Sequence, residues 1–246
     1  LRGYRTIIST MSELREKLQQ TGFEGELDDS AEAKELYSHD ASMFEIVPEI
    51  IAKPTSAEDV TKLVKYVAEN KKANPELSLT ARSAGTDMSG AAINDSIIVD
   101  FNAHLTKLID ISATRAVVQP GMFFRDFDAE TIKFDAMLPS YPASRDLCTV
   151  GGMVNNNSGG EKSLEFGKTD KYVPELKFVF ADGIERVVKP LTKAELDVKM
   201  AQEDFEGQVY KQMFELIESN YEKINAAKPK VSKDSTGYHL WNVWDR

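Results

Sequence analysis

Two stretches of small residues, each set between apolar segments, constrain this chain more than anything else in it. The first is Ala81-Arg82-Ser83-Ala84-Gly85-Thr86-Asp87-Met88-Ser89-Gly90. The second is Cys148-Thr149-Val150-Gly151-Gly152-Met153-Val154-Asn155-Asn156-Asn157-Ser158-Gly159-Gly160. Backbone that is bare and also buried must find partners for its N–H and C=O groups. A multiply charged phosphate ligand, met by exposed amides and short hydroxyls, answers that need. In the first loop Ser83, Thr86 and Ser89 offer hydroxyls, while Ala84, Gly85 and Gly90 keep the main chain accessible. Arg82 supplies a fixed positive charge or braces the loop. The alternative for either block is a polar surface turn; two such blocks in this order weigh against it.

The second block carries three consecutive asparagines and several glycines, poor material for helix or strand. Yet Val150, Met153 and Val154 sit within it and call for burial. Upstream, Ser140-Tyr141-Pro142-Ala143-Ser144-Arg145-Asp146 adds a proline turn and two hydroxyls. No Gly-Lys-Ser/Thr closes the first loop, and Glu161 interrupts Gly160-Glu161-Lys162-Ser163, so neither is a Walker loop. A Gly-x-Gly-x-x-Gly fingerprint is also missing, which excludes an ordinary Rossmann reading.

A net charge of -10 argues against nucleic acid and against anionic membrane surfaces, both of which favour basic patches. Any phosphate site must therefore be built locally against a repelling overall field. Cys148 is the lone cysteine, so no internal disulfide forms and a reducing, cytoplasmic compartment is expected. Peripheral attachment to the inner membrane is compatible with that location. His39, His104 and His239 lack ligand-like spacing, and no metal site is expected. No apolar run reaches bilayer-spanning length. Leu1 rather than Met opens the chain, which leaves room for a preceding targeting segment.

Residues 1–45 read as a helical extension, with Glu13, Leu14 and Leu18 in one amphipathic helix and Glu24 to Asp29 as a solvated acidic link. A short strand is expected between Pro48 and Pro54. The helix after it has Thr55 and Ser56 as capping residues and Val60, Leu63, Val64 and Val67 on one face. Leu77–Ala81, Ile97–Asp100 and Leu105–Ile111 read as further strands, completing a first α/β lobe over 46–113. The second, α+β lobe spans 114–246. Ala116–Gln119 ends at the Pro120-Gly121 turn, and Phe123 to Phe134 is expected to be helical with Phe123, Phe124, Phe127 and Ile132 inward. Asp182-Gly183 closes a hairpin between 176–180 and 184–188. Helix returns from about Thr192 to Ala227, with Val209, Met213, Leu216 and Ile217 at helical spacing.

Arg82 to Gly90 resembles the pyrophosphate loop of the FAD-linked oxidase family, flavoproteins of the vanillyl-alcohol oxidase and methylcresol hydroxylase type. Val118-Gln119-Pro120-Gly121, Pro142 to Gly160 and Phe166 to Val173 resemble its succeeding segments. Tyr37-Ser38-His39-Asp40-Ala41-Ser42 and Lys233-Asp234-Ser235-Thr236-Gly237-Tyr238 look like flanking signatures of its D-lactate, glycolate and D-2-hydroxyglutarate dehydrogenase branch. The resemblance implies an α+β, two-lobed, methylcresol hydroxylase-type FAD-binding domain. Its pyrophosphate positions would be Arg82, Ser83, Ala84, Gly85, Thr86 and Asp87, closed by Ser89 and Gly90. Gly121, Ser144, Thr149, Gly151, Gly152 and Asn157 would line the rest of the cofactor. Thr86 stands where covalently flavinylated relatives carry histidine, so noncovalent FAD is implied.

Asp87 departs from the family's glycine-rich loop. Near a diphosphate its charge would cost on the order of 1 kcal/mol unless it is paired or caps backbone amides. The branch normally continues into a further glycine-rich segment and a substrate-binding cap, which carries its metal-binding histidines and substrate arginines. With the chain ending at Arg246, the cap is expected to be absent and no catalytic residue is assigned. The implied activity is oxidation of a small D-2-hydroxy acid such as lactate, glycolate or 2-hydroxyglutarate, with an unspecified electron acceptor. Two alternatives stand beside it. One is a flavin-binding module without turnover or completed by a partner chain; the other is the same fold acting on another alcohol. His239 beside Trp241 and Trp244 is expected to belong to a partly buried C-terminal segment rather than a substrate pocket.

Overall fold

The computed structural model describes residues 13–231, 234–235 and 237–245. Lys233 and Thr236 of the C-terminal signature lie outside them, as does the first part of the expected helical extension. The described chain divides into two compact units. The first runs to Val173 and includes Lys177–Arg186; the second comprises Pro174–Leu176 and the residues from Val187 onward.

The first unit is built on a four-stranded sheet. Its elements are α1 (residues 13–20), β1 (Glu26–Asp28), α2 (Ala31–Tyr37), β2 (Ile50–Lys53), α3 (Ala57–Asn70), β3 (Leu79–Arg82) and β4 (Ile97–Asp100). The strand order is β1-β2-β4-β3, with β2, β4 and β3 parallel and β1 antiparallel to β2. The central strands are covered on both faces, as their unbroken apolar sequences require. Ile50, Ala52, Ile97 and Val99 pack with Leu14, Leu18, Leu63 and Leu77, whereas Ile51 and Ile98 meet Ala33 and Tyr37. Ser56 caps α3 by accepting from the Asp59 amide, and Leu63 on its inner face is fully buried.

The acidic stretch from Glu24 to Asp29 is not the solvated link expected of it. Residues 26–28 pair with 51–53 to form β1, and Leu27 packs on the core. Buried Asp59 accepts from the Glu24 amide at 2.9 Å, and Arg15 pairs with Asp29 at 2.6 Å. Local partners therefore outweigh the charge density of this segment.

Next come the paired strands β5 (Leu108–Ile111) and β6 (Ala116–Val118), α4 (Phe124–Thr131), α5 (Val150–Asn155) and α6 (Ser163–Phe166). Residue 113, near which the sequence suggests a change of lobe, lies in the turn between β5 and β6, inside the first compact unit. Phe124 and Phe127 are buried with Met122, Tyr141, Cys148 and Met153 in a second core. Ile132, expected inward, is 63% exposed. The α-helix gives way there to a 3-10 turn, Ile132–Phe134, which ends at left-handed Asp135 and rotates Ile132 off the buried face.

β7 (Leu176–Val179) and β8 (Glu185–Val188) pair as expected, with Gly183 at φ +73° in the turn. Arg186 clamps Asp182 through two nitrogen–oxygen contacts of 2.8 and 2.7 Å. The second unit is helical: α7 (Lys193–Met200), α8 (Phe205–Ser219) and α9 (Tyr221–Ala227). A capping box between Thr192 and Glu195 starts α7. Ile217 is buried, but Leu216 is half exposed, so the inward stripe of α8 is narrower than its apolar residues suggest. Trp244 packs edge-on against Phe214 and donates to Glu218 at 2.6 Å, in keeping with a packing role.

Candidate cofactor site

β3 delivers the chain into the first loop, and Arg82 at its end turns inward against the protein. Its Nη1 donates to the carbonyls of Tyr37 and Ala92 at 3.3 and 3.1 Å, and Nη2 donates to His39 O at 2.7 Å. The guanidinium lies 5.1 Å from the Tyr37 ring centroid, and its burial lowers the pKa. Of the two roles open to Arg82, the geometry selects the brace.

Beyond it, the amides of Ser83, Ala84, Gly85 and Thr86 donate to no group among the described residues. Gly85 adopts φ +65°, and its carbonyl accepts from the Ala41 amide at 3.0 Å. A Cβ there would lie 2.7 Å from Arg82 Nη2. Gly90, at φ +85°, lies against Phe44.

Asp87 closes the loop on itself. Its Oδ2 accepts from the amides of Ser89 and Ala91 at 2.8 and 2.9 Å and from the Ser89 hydroxyl at 2.8 Å. Burial opposes its ionisation, but these hydrogen bonds prevail and hold the carboxyl below its ordinary pKa. Its charge is thus engaged by donors of its own loop, which meets the electrostatic objection raised from sequence. Ser89 serves this closure.

The second block differs from its expectation: residues 150–155 form α5 despite two glycines. Thr149, fully buried, caps it by accepting from the Gly152 amide at 3.2 Å, and Met153 anchors it in the core. Capping and burial of one face overcome the low intrinsic helix propensity. The Val150 and Gly151 amides donate to Met122 O and Pro120 O at 2.9 and 2.8 Å, so this helix start is satisfied within the protein.

Its glycines instead permit close approach. A Cβ on Gly152 would stand 2.5 Å from Ser83 Oγ and 3.4 Å from Thr149 Oγ1; one on Gly151 would meet Pro120 at 2.6 Å. The two sequence blocks therefore meet at Ser83 and Gly152. Asn157, at φ +42°, accepts from the Asp170 amide at 3.0 Å and ties the block's end to the following turn.

Gly121 lies deeper. It is buried, its Cβ position is only 1.9 Å from Phe101 O, and its amide donates to Leu105 O. Ser144 begins the turn that brings Cys148 and Thr149 into place, its carbonyl accepting from the Leu147 and Cys148 amides. Residues 37–41, whose sequence carries no signal of a site role beyond the flanking resemblance, abut the first loop. The Tyr37 hydroxyl donates to Asp100. The buried Asp40 Oδ2 and Asn102 Oδ1 have no partner among the described residues, an arrangement that favours an added donor.

The unpaired amides at 83–86, the Ser83 and Thr86 hydroxyls and the small side chains at those four positions suit a dinucleotide diphosphate. A family model described as "FAD binding domain" matches residues 48–188. The chain belongs to this family. Its cofactor is FAD, and the FAD-linked oxidases are its wider group. D-2-hydroxyglutarate dehydrogenase of Pseudomonas putida is 27% identical over 235 residues, covering 95% of this chain and 23% of that protein. Glycolate oxidase subunit GlcD of Bacillus subtilis is 26% identical over 175 residues, covering 70% and 36%. The chain thus spans less than a quarter of the length of the first relative. Among solved structures, 6-hydroxy-D-nicotine oxidase from Arthrobacter nicotinovorans superposes with a TM-score of 0.60 at 23% identity, over 72% of this chain and 38% of that one. This likeness shows the fold. No described helix is long and apolar enough to cross a membrane.

Proposed function

We propose that this FAD-binding domain serves an oxidoreductase that removes two electrons from a small D-2-hydroxy acid of the 2-hydroxyglutarate, lactate or glycolate type. The observation that carries the reading is the alignment with a D-2-hydroxyglutarate dehydrogenase across 95% of the chain, on a loop whose amides suit the diphosphate of FAD. FAD, when bound, supplies the two-electron acceptor, and the protein binds and orients it.

Ser83, Ala84, Gly85 and Thr86 hold the diphosphate through amides and hydroxyls. Asp87, Ser89 and Gly90 fix the loop's closure. Thr149, Gly151, Gly152 and Asn157 form the platform behind it, with Ser144 and Gly121 shaping the turns that carry that platform. Binding is noncovalent, since Thr86 and Asp87 offer no imidazole or thiol and Cys148 is buried. The lobes divide near residue 113, and the segment before residue 46 adds β1, α1 and α2 to the first of them. A reducing, cytoplasmic compartment suits a lone buried cysteine. The word "subunit" in the name of the glycolate oxidase relative supports a second reading, completion by a partner chain.

The test has two arms. The chain should quench flavin fluorescence on titration with FAD, and acid precipitation should leave the flavin in the supernatant. The complete gene product, loaded with FAD, should reduce a redox dye with D- but not L-2-hydroxy acids. Failure with 2-hydroxyglutarate, lactate and glycolate alike would defeat the substrate assignment.

A further inference from the structure

The loop that receives FAD in the reading above is held from outside the stretch matched by the family model. Residues 37–41 precede that match, which begins at residue 48. They nevertheless make several contacts with the loop. The carbonyls of Tyr37 and His39 accept from Arg82, and the Tyr37 ring lies under its guanidinium. Ala41 donates its amide to Gly85 O at 3.0 Å. Tyr37 is fixed in turn by its hydroxyl, which donates to Asp100, the residue paired with Arg82 across β3 and β4. Ala92, where the chain leaves the loop, accepts from the same guanidinium at 3.1 Å.

We infer that residues 37–41 form a strap and Arg82 its clasp. Together they hold the amides of Ser83 to Thr86 in a curvature ready for a diphosphate, while the guanidinium itself stays off the phosphates. Arg82 is therefore a positioning residue. Its planar fork of donors reaches three carbonyls in different directions. The single ammonium of a lysine cannot span the same three while stacking on Tyr37. Direct phosphate binding would leave those carbonyls without their donor, and they come from the strap and from Ala92 at the exit of the loop. The inference rests on the FAD reading for the ligand, but the strap's hold on the loop is a property of the protein alone.

The test uses the full chain with FAD as the probe. Arg82→Lys should raise the FAD Kd at least tenfold, and Tyr37→Phe should raise it less. The double variant should fall short of the product of the two effects, because both act through one clasp. The slope of log Kd against log salt should match the wild type, since no phosphate contact is lost. Guanidinium at concentrations too low to unfold the chain should partly restore FAD affinity to Arg82→Ala, whereas methylammonium should not.

In FAD-free protein, hydrogen exchange at the Ala41 amide, which is bonded to Gly85 O, should quicken in Arg82→Lys while the amides of β4 keep their protection. Wild-type affinity in Arg82→Lys, or a clearly reduced salt slope, would overturn the clasp. If wild-type protein takes up no FAD, the cofactor reading fails, and the exchange rate at Ala41 still decides the strap. Equal rates in wild type and Arg82→Lys would refute it.

Discussion

Gly152 is where the two blocks touch, and replacing it separates FAD binding from folding. An alanine Cβ there would lie 2.5 Å from Ser83 Oγ and 3.3 Å from Ser83 Cβ. Rotating the Ser83 hydroxyl relieves the first contact but not the second. Restoring ordinary spacing to the hydroxyl without that rotation moves the first loop by about 1 Å, enough to break a 2.9 Å hydrogen bond from its amides. Losing one charge-assisted hydrogen bond costs about 1.5–3 kcal/mol, so Gly152→Ala should weaken FAD binding by about 10- to 100-fold. Stability should change little. The substitution gains about 1 kcal/mol of helix propensity within α5, which offsets part of an overpacking cost of about 1–3 kcal/mol. Gly151→Ala is the contrast: it drives a methyl into Pro120, including its backbone, at 2.6 Å and should chiefly lower stability. The assay pairs FAD titration by fluorescence quenching with thermal melts of the FAD-free proteins. A Gly152→Ala Kd within twofold of wild type would refute the placement of the diphosphate at Ser83. So would a fall in Tm that accounts for the whole loss.

Gly85→Ala should also abolish tight FAD uptake, because φ +65° costs a side chain about 1–2 kcal/mol and its Cβ would strike Arg82; unchanged affinity by titration would count against the loop. Asp87 gives a pH signature. Its folded pKa lies below the unfolded value of about 3.9, so its contribution is present above that value and fades as pH falls through the lower folded one. Asp87→Ala should therefore flatten the low-pH limb of the Tm–pH curve, and a curve parallel to wild type would show that the loop closure contributes nothing. Burial pushes the Cys148 thiol up to about 11, so a thiol reagent at pH 8 should label it only after unfolding; rapid labelling of native protein would contradict its burial.

The sheet and the first loop were legible because local signals agree there. β2 and β4 are short apolar runs, Ser56 and the acids after it start α3, and the small residues follow β3 directly. What escaped the sequence depended on partners far along the chain. The residues of β1 look solvated until Lys53, Ala52 and Ile51 are placed beside them and Asp59 is found holding Glu24. Val150 to Asn155 look unfit for helix until Thr149 caps them and Met153 is buried. The ambiguity at Arg82 could not be resolved from its own surroundings, since its acceptors at residues 37 and 39 lie more than forty positions away.

The two glycine-bearing blocks resemble each other in composition, yet the structure gives them opposite tasks. In the first, Gly85 turns the chain through a left-handed conformation so that successive amides stay unpaired among the described residues. In the second, Val150, Gly151 and Gly152 already donate to Met122, Pro120 and Thr149, so the helix start has no spare donors there for a phosphate. Its glycines matter for what they lack, a Cβ, which lets α5 press against Ser83 and Pro120. A substitution series should follow this division. Bulk added to the second block should act on FAD through the displacement of Ser83, with losses that grow with side-chain volume from Gly152→Ala to Gly152→Val. Losses in the first block should instead follow backbone conformation, so Gly85→Ala and Gly85→Val should be almost equally impaired. FAD titrations that showed the same volume dependence at both positions would mean that the two blocks bind the diphosphate in the same way.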